Sequence, residues 1–243
     1  MDGNTWRKHR FVIESNGRPP FAMEPAQPPE WPGYWERAGF SVLAEYLSNV
    51  VDLTQTEAME DQLLAQWLPR FAGKGIQIRD LDPANYQAEL DRIFEVSLRS
   101  FSQNFLYTPL SREEFHALYQ PVRGFVRQGL VLLAEDTSRN PALPVGFVFS
   151  LPDPFAKPGE QAALIVKTLA VLPEAAYRGL GSVLVAAVQK HSRSLGCREA
   201  IHALQYQGNV GSLRISERFG AKIFRRYALY SKDSKIHEYQ NAG

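Results

Sequence analysis

A glycine turn at Tyr177–Ser182, with the sequence YRGLGS, holds the residues best suited to bind a ligand. An apolar run precedes the turn and an apolar-periodic segment follows it. Free N–H groups and the dipole at a helix start attract anions, and Gly179 and Gly181 let a phosphate approach the backbone. No Gly-Lys-Ser/Thr follows and position 184 is Leu, which excludes two longer phosphate-binding motifs. The turn alone indicates either a phosphate site or a tight strand-to-helix connection.

The elements that must position this turn follow in a regular order from residue 76. Asp82-Pro83 and Ser111-x-x-Glu114 are start signals for two helices. Apolar runs predict strands, and an apolar period near 3.6 predicts a helix directly after the turn. The predicted order is β-α-α-β-β-β-α-β-α-β, with strands at 76–80, 130–134, 145–151, 163–171, 200–204 and 222–231 and the later helices at 180–195 and 210–219.

The N-terminal part contains a segment that matches one near the C-terminus. Residues 1–35 are rich in Pro and Gly and predict loops, followed by a helix at 35–38, a strand at 40–53 and a helix opened by Thr54-x-x-Glu57. YWERAGFSVLAEY (34–46) aligns with ISERFGAKIFRRY (215–227) at an offset of 181 residues. The match indicates either a tandem duplication with an incomplete first copy or a coincidence between two helix-Gly-strand units.

From residue 76 to about 235 the sequence resembles the GNAT acetyltransferase superfamily. LAVLPEAAYRGLG and NVGSLRISERFGA carry the resemblance in order and spacing, although Ala176 replaces the usual Arg or Gln. The resemblance implies an α/β fold of α+β type, a mixed and mostly antiparallel sheet of about six to seven strands flanked by helices. With the repeat, it predicts a partial GNAT-like segment at 1–73 and a complete domain at 74–243, the C-terminal portion of a tandem protein.

The resemblance implies acetyl-coenzyme A as the cofactor. Its pantetheine arm would pair like an extra strand with the strand before the turn, which in the family splays from the next strand. Asn209 matches the asparagine that holds this arm, and Ser212 takes the usual alanine position. The basic residues Lys222, Arg225 and Arg226 would either face the terminal phosphate or form a solvated strand edge. The expected cofactor residues are Leu169, Ala170, Val171, Tyr177, Arg178, Gly179, Leu180, Gly181, Ser182, Asn209 and Ser212.

The catalytic and acceptor residues are less clear from the sequence. Ser216 stands where the family usually has a tyrosine acid, and Ile165 and Lys167 stand where some relatives place a base. Tyr227 and Tyr230 are substitute acids or packed strand aromatics. The expected acceptor pocket lies in the segments 100–111 and 151–154, unless these are ordinary loops. Its candidate residues are Asn104, Phe105, Tyr107 and Asp153.

Composition restricts the setting. A net charge of +1 gives no sign of nucleic-acid binding, and no apolar run or leader pattern indicates a membrane or secretion. The single cysteine, Cys197, fits a reducing compartment, so we expect a cytoplasmic protein. The histidines lack metal-ligand spacing, and no Gly-x-Ser-x-Gly indicates a hydrolase.

Three readings of the function remain open. The first is an acetyl-coenzyme A-dependent N-acetyltransferase that acts by direct attack in a ternary complex. Its partner would be a small-molecule or peptide amine, and it could form a homodimer. The second is a non-catalytic acyl-coenzyme A binding or sensing module. The third is an interaction protein that docks through its N-terminal part, and the biological start could also lie upstream of Met1.

Overall fold

One mixed sheet of eight strands organises the protein. The computed structural model describes residues 9–156 and 162–232. Within these residues the strand order is β1-β8-β2-β7-β6-β5-β4-β3. The strands are β1 (Phe11–Ser15), β2 (Ser41–Asp52), β3 (Ile76–Asp80), β4 (Val131–Asp136), β5 (Leu143–Pro152), β6 (Leu164–Val171), β7 (Glu199–Tyr206) and β8 (Lys222–Ser231).

Six α-helices of the described residues flank the sheet. They are α1 (Trp31–Arg37), α2 (Glu57–Ala72), α3 (Tyr86–Phe101), α4 (Arg112–Tyr119), α5 (Leu180–Ser194) and α6 (Val210–Arg218). Both α3 and α5 pack on β5 and β6, while α2 lies along α5. The core side of α5 carries Leu180, Val183, Leu184 and Val188, all fully buried. Their spacing of three to four residues is the periodicity that predicts this helix.

Two of the three helix-start signals form as predicted. Ser111 Oγ accepts the N–H of Glu114 at 3.1 Å, and the Glu114 carboxylate accepts the N–H of Ser111 at 2.8 Å. Asp82 accepts the N–H of Ala84 at 2.9 Å and starts a single 3₁₀ turn that leads into α3. The predicted box at Thr54 is wrong: Thr54 binds Asp52, and Thr56 precedes α2 without a side-chain cap.

The sheet has eight strands rather than six or seven because two N-terminal strands join it. β2 pairs antiparallel with β7 on one side and with β8 on the other. Residues Leu47, Val51 and Leu53 of this region are at most 5% exposed. β1, which lies in a stretch predicted as loop, pairs with the outer side of β8. The N-terminal part is therefore a structural component of the same sheet.

Candidate functional site

β6 and β7 separate halfway along their length. These parallel neighbours pair only at Leu164–Val166, which lie opposite Ala200–His202. Both strands continue beyond that point, to Val171 and Tyr206, without pairing with each other. The backbone of β6 beyond Val166 therefore has no strand partner on its β7 side. The separation of this strand from the next one, which the family resemblance implies, is therefore present.

Two β-bulges at the same level explain the separation. On β6, Lys167 is the extra residue between the pairs Val166–Ser150 and Thr168–Phe149. On β7, Ala203 and Leu204 together oppose the single residue Ser48 of β2. A bulge bends its strand and increases the local twist. Because both bulges directly follow the last β6–β7 pair, the two strands turn apart at this level.

The opening leads into a cavity of about 320 Å³. Its wall includes an aromatic group in which Tyr206 stacks on Phe105, with ring centroids 5.2 Å apart, and lies 5.5 Å from Tyr46. Further wall residues are Met23 and Pro25 from the N-terminal part, Tyr119 from α4, Ser212 and Ile215 from α6, and Asn209 directly before α6. The combination of an apolar wall with few polar groups is typical of a small-molecule site.

The glycine turn has a residue in the left-handed conformation directly before α5. Gly179, which precedes α5, has φ +92° and makes no side-chain cap. No side chain therefore caps the N–H groups of the first turn of α5, and uncapped helix starts of this kind attract anions. A Cβ on Gly179 would lie 3.2 Å from the Trp67 ring, and one on Gly181 would lie 3.1 Å from Ile215 Cδ1. Since Ile215 also lines the cavity, the turn and the cavity adjoin.

Five of the predicted site residues line this one cavity. They are Leu169, Asn209 and Ser212 from the expected cofactor set, and Asn104 and Phe105 from the expected acceptor set. Asn209 also caps α6 by accepting the N–H of Ser212 at 3.0 Å. The other expected cofactor residues, Ala170, Val171 and Tyr177–Ser182, lie off the wall. Tyr107 is also off the wall.

None of the three predicted acids lines the cavity, which corrects that part of the sequence interpretation. The Ser216 hydroxyl is buried and donates to Gln205 Oε1 at 2.8 Å. Tyr227 is fully buried, hydrogen-bonded to Glu24 and to Ser48, and burial raises the pKa of its hydroxyl. Tyr230 donates to Glu36 at 2.9 Å, and burial raises its pKa to about 12. Their hydroxyl groups have structural partners instead.

Asp153 and Arg225 also have structural roles. Asp153 Oδ1 accepts the N–H of Ala22 at 3.2 Å and that of Phe155 at 3.1 Å, so it holds a loop and is absent from the wall. Arg225 is 3% exposed and pairs with Glu24 at 2.7 Å, which excludes it from facing a cofactor phosphate. The N-terminal loop is therefore held by an ion pair with β8 and by a hydrogen bond with the 151–154 segment.

The N-terminal wall of the cavity was missed from the sequence. Arg10, Met23, Pro25 and Tyr46 line it, although they stand more than fifty residues before any predicted site residue. Proline-rich loops carry no chemical motif, and of these four residues only Tyr46 lies in the sequence repeat. The cavity thus depends on a segment whose sequence contains no binding signal.

Backbone strain concentrates at the same place. Among the described residues, the non-glycine residues with positive φ are Met23 (66°), Leu106 (55°) and Leu204 (52°). Met23 and Leu204 line the cavity, and Leu106 follows the wall residue Phe105. Such conformations persist only where surrounding contacts impose them, and they cluster at functional sites. The Leu204 N–H is held by Ser48 Oγ at 3.1 Å, so β2 fixes the bulge.

A buried network of hydrogen bonds holds two of the residues that line the cavity, His202 and Gln205. Burial lowers the pKa of His202 to about 4, so the ring is neutral at pH 7. Because the Ser216 hydroxyl donates to Gln205, the consistent tautomer has His202 Nδ1–H donating to Ser216 at 2.8 Å and Nε2 accepting from Gln189 at 2.9 Å. Gln205 Oε1 also accepts from Asn49 at 2.7 Å. These bonds hold Gln205 on the wall.

The described residues contain neither a membrane-spanning helix nor a metal cluster. No helix there has the length and apolar character needed to cross a bilayer. No group of three or more His, Cys, Asp or Glu side chains in that part of the chain is arranged to hold a metal ion.

Comparisons with known proteins agree with this fold. The model of the acetyltransferase (GNAT) family matches residues 90–221. Protein YghO of Escherichia coli K12 is 24% identical over 251 residues, which cover 91% of this chain and 62% of YghO. This chain therefore spans less than two thirds of that relative.

Two solved structures share the fold. A GCN5-related N-acetyltransferase from Sphaerobacter thermophilus has a TM-score of 0.58 and 17% identity, over 91% of this chain and 58% of its own. A tandem GNAT protein from the clavulanic acid biosynthesis pathway has a TM-score of 0.58 and 13% identity, over 91% and 62%. With the family match over more than half of its residues, this chain belongs to the acetyltransferase (GNAT) family.

Proposed function

We propose that the protein is an acetyl-coenzyme A-dependent N-acetyltransferase with a primary amine as acceptor. The observation that supports the proposal most is that the glycine turn adjoins the cavity, with Ile215 in contact with both. The pyrophosphate would lie on the free amides at the start of α5, and the pantetheine arm beside the unpaired edge of β6. The thioester would then reach the cavity between the separated strands.

The reaction is a direct transfer within a ternary complex. The acceptor nitrogen attacks the thioester carbonyl, the C–N bond forms, the C–S bond breaks, and the proton lost by nitrogen balances the thiolate. Deprotonating a lysine-like amine at pH 7 costs roughly 4–5 kcal/mol, whereas positioning both reactants contributes roughly 7–11 kcal/mol. A backbone amide near the β6 bulge would stabilise the oxyanion. Positioning of the two reactants can therefore account for most of the lowering of the reaction barrier.

Tyr119 replaces the predicted acids in this proposal. It lines the cavity together with Thr168, which directly follows the bulge residue Lys167 on β6. Burial raises the pKa of Tyr119 to about 12, so the hydroxyl stays protonated throughout the neutral range. It can therefore donate a hydrogen bond to the departing sulfur.

Calorimetry with coenzyme A tests the cofactor assignment. Gly179→Glu places a side chain and a negative charge where the pyrophosphate would lie, and we expect it to abolish binding. Because its φ of +92° strains any substitution, Arg178→Glu, at φ −59°, is a second variant without that strain. Gly124→Glu is the matched control, since a Cβ there meets nothing within 4 Å. Unchanged affinity in both turn variants would contradict the assignment.

A non-catalytic acyl-coenzyme A binding module is a second candidate. It is favoured by the engagement of the Ser216 hydroxyl with Gln205 and by a cavity wall that, among the described residues, contains no carboxylate. Thiol release from acetyl-coenzyme A, measured with a panel of amines, separates the two candidates. Tight coenzyme binding without release for any amine would favour the module.

The cellular compartment that we propose follows from the same function. Cys197 is a buried free thiol, and burial raises its pKa. A protein of this kind suits the reducing cytoplasm, where acetyl-coenzyme A is available to enzymes.

A further inference from the structure

The glycine turn packs against the indole ring of Trp67, which belongs to the N-terminal helix α2. A Cβ on Gly179 would lie 3.2 Å from Cζ3 and 3.3 Å from Cη2 of this ring. Two carbon atoms in ordinary contact are roughly 3.5–4.0 Å apart. Glycine is therefore required here for two reasons, because of the φ of +92° and because the ring leaves little room for a side chain.

The indole is itself held in place by its neighbours on α2. Trp67 is half-buried and packs on the edge of the hydrophobic core. Its ring centroid lies 5.8 Å from that of Phe71, and the guanidinium of Arg70 lies 5.4 Å from it. Packing of this kind restricts the rotamer of the indole and thereby defines the surface against which the turn lies.

Two ion pairs fix α2 to the opposite end of α5. Glu60, whose side chain is fully buried, lies 2.6 Å from Arg193, and Asp61 lies 2.7 Å from Lys190. The indole contacts the other end of α5, at the glycine turn. Because α2 is attached near both ends of α5, it cannot slide along that helix without breaking a buried ion pair, which is costly.

The contact comes from outside the part of the chain that the family model matches. That match covers residues 90–221, whereas α2 comprises Glu57–Ala72. The N-terminal part of this chain therefore adds a support beneath the turn. A turn that is already held in its binding geometry needs little ordering when the ligand arrives, and this raises affinity.

We infer that Trp67 is a positioning residue for the coenzyme. Its ring holds the glycine turn in the geometry that binds the pyrophosphate, so the N-terminal part of the chain tunes the affinity for the cofactor. The inference rests on the proposed function, in which the pyrophosphate lies at this turn. It assigns Trp67 no direct contact with the reacting groups.

Two acetyl donors that differ in the pyrophosphate test the inference. Acetyl-coenzyme A is compared with S-acetylpantetheine, which lacks the pyrophosphate and the nucleotide, by thiol release with the amine that reacts fastest in a panel. We expect Trp67→Ala to lower kcat/KM about tenfold for acetyl-coenzyme A and less than about twofold for S-acetylpantetheine. The Kd of coenzyme A, measured by calorimetry, should rise about tenfold. Trp67→Phe, which keeps an aromatic ring, should recover most of the affinity.

Two matched controls test whether the effect is specific to the turn. Leu68→Ala removes an apolar side chain that is 41% exposed on the same helix, and Lys190→Gln removes the exposed ion pair between the same two helices. Both should leave the values for both donors unchanged. Thermal unfolding checks each variant, and Trp67→Leu, which keeps the apolar bulk, replaces Trp67→Ala if the latter does not melt cooperatively.

The outcomes separate this inference from the proposed function. An equal loss with both donors, or no loss with either, would overturn the positioning role and leave acetyl transfer standing. A natural protein that binds no coenzyme A would overturn the cofactor assignment and the inference with it. Weaker coenzyme A binding in the alanine variant, without thiol release from either donor for any amine, would support the positioning role and overturn acetyl transfer.

Discussion

Tyr46 on β2 lies directly opposite Tyr227 on β8, and the two residues are related by the 181-residue offset of the sequence repeat. The strand pair contains one bulge near each end, at Leu43 on β2 and at Phe224 on β8, which are also 181 residues apart. The turns before the strands correspond as well, with Gly39 at φ +84° and Gly220 at φ +66°. If β2 and β8 are exchanged by the 181-residue offset, nearly the same pairing register and the same two bulge positions result.

This local symmetry supports the proposal that the two segments are copies of one helix-glycine-strand unit. A coincidental match in sequence would not require matching bulges or a self-symmetric register. The first copy supplies β2, which lies between β7 and β8. The proposed duplication therefore contributes to the structure of the site, because Ser48 and Asn49 of β2 bind Leu204 and Gln205 on the cavity wall.

Removing the N-terminal part should destroy the fold. A chain of residues 74–243 lacks β2, so β7 and β8 lose the strand between them, together with the buried Leu47, Val51 and Leu53. We expect this fragment to lack a cooperative thermal transition by circular dichroism and to bind no coenzyme A, with the full chain as control. A fragment that melts cooperatively and binds coenzyme A would show that β2 is dispensable.

The buried pair Glu24–Arg225 should contribute strongly to stability. Glu24→Gln or Arg225→Met alone leaves one buried charge without its partner and should cost about 3–5 kcal/mol in urea unfolding. The double variant should lose less than the sum of the two, because neither charge then remains. Arg139→Gln, which removes an exposed contact with Asp136, is the control and should change stability by less than about 0.5 kcal/mol. Strict additivity would contradict the coupling.

Tyr119→Phe should affect the chemical step more than coenzyme binding. It removes the hydroxyl assigned to the departing sulfur and keeps the ring that packs on Phe115 and Phe149. We expect kcat to fall about 10²-fold, with the coenzyme A Kd within about twofold. Tyr230→Phe, whose hydroxyl binds Glu36 away from the cavity, is the matched control and should keep kcat. Equal effects of the two substitutions would remove Tyr119 from the mechanism.

His202 should make stability depend on pH. Burial lowers its pKa from 6.5 to about 4, so between these values the unfolded chain binds a proton that the folded chain does not. Stability is therefore lost as the pH falls from about 7 to 4, by up to about 3 kcal/mol from this group. Below pH 4 both states are protonated and this contribution stays constant.

Unfolding in urea at several pH values measures the effect. His202→Asn, whose amide can still donate to Ser216, should show a shallower loss between pH 7 and 4 than the natural protein. His191→Asn, at the end of α5, is the histidine control and should reproduce the natural pH dependence. An identical slope in the His202 variant would show that this ring protonates without cost in the folded state.

Predictions from the sequence are confirmed where interactions between residues close in the chain determine the local structure. Positive φ and an uncapped helix start favour glycine, and Gly179 has both in the structure. The element order from residue 76 is also confirmed, since short-range periodicity sets it. Thr54 is not the cap of α2 because the helix begins only at Glu57, after Thr56, and the Thr54 hydroxyl donates to Asp52 instead.

By itself, the sequence determined the glycine turn, the order of strands and helices, and the family resemblance, because these depend on neighbours within a few residues. Only the tertiary structure decided the walls of the cavity, the paired bulges at Lys167 and Leu204, and the structural roles of Asp153 and Arg225. Apart from the Lys167 bulge, which forms against the neighbouring strand β5, those features depend on contacts between segments more than a hundred residues apart, such as Ser48 with Leu204 and Glu24 with Arg225. Registers and ion pairs of that kind form only when the whole sheet assembles, so no local pattern encodes them.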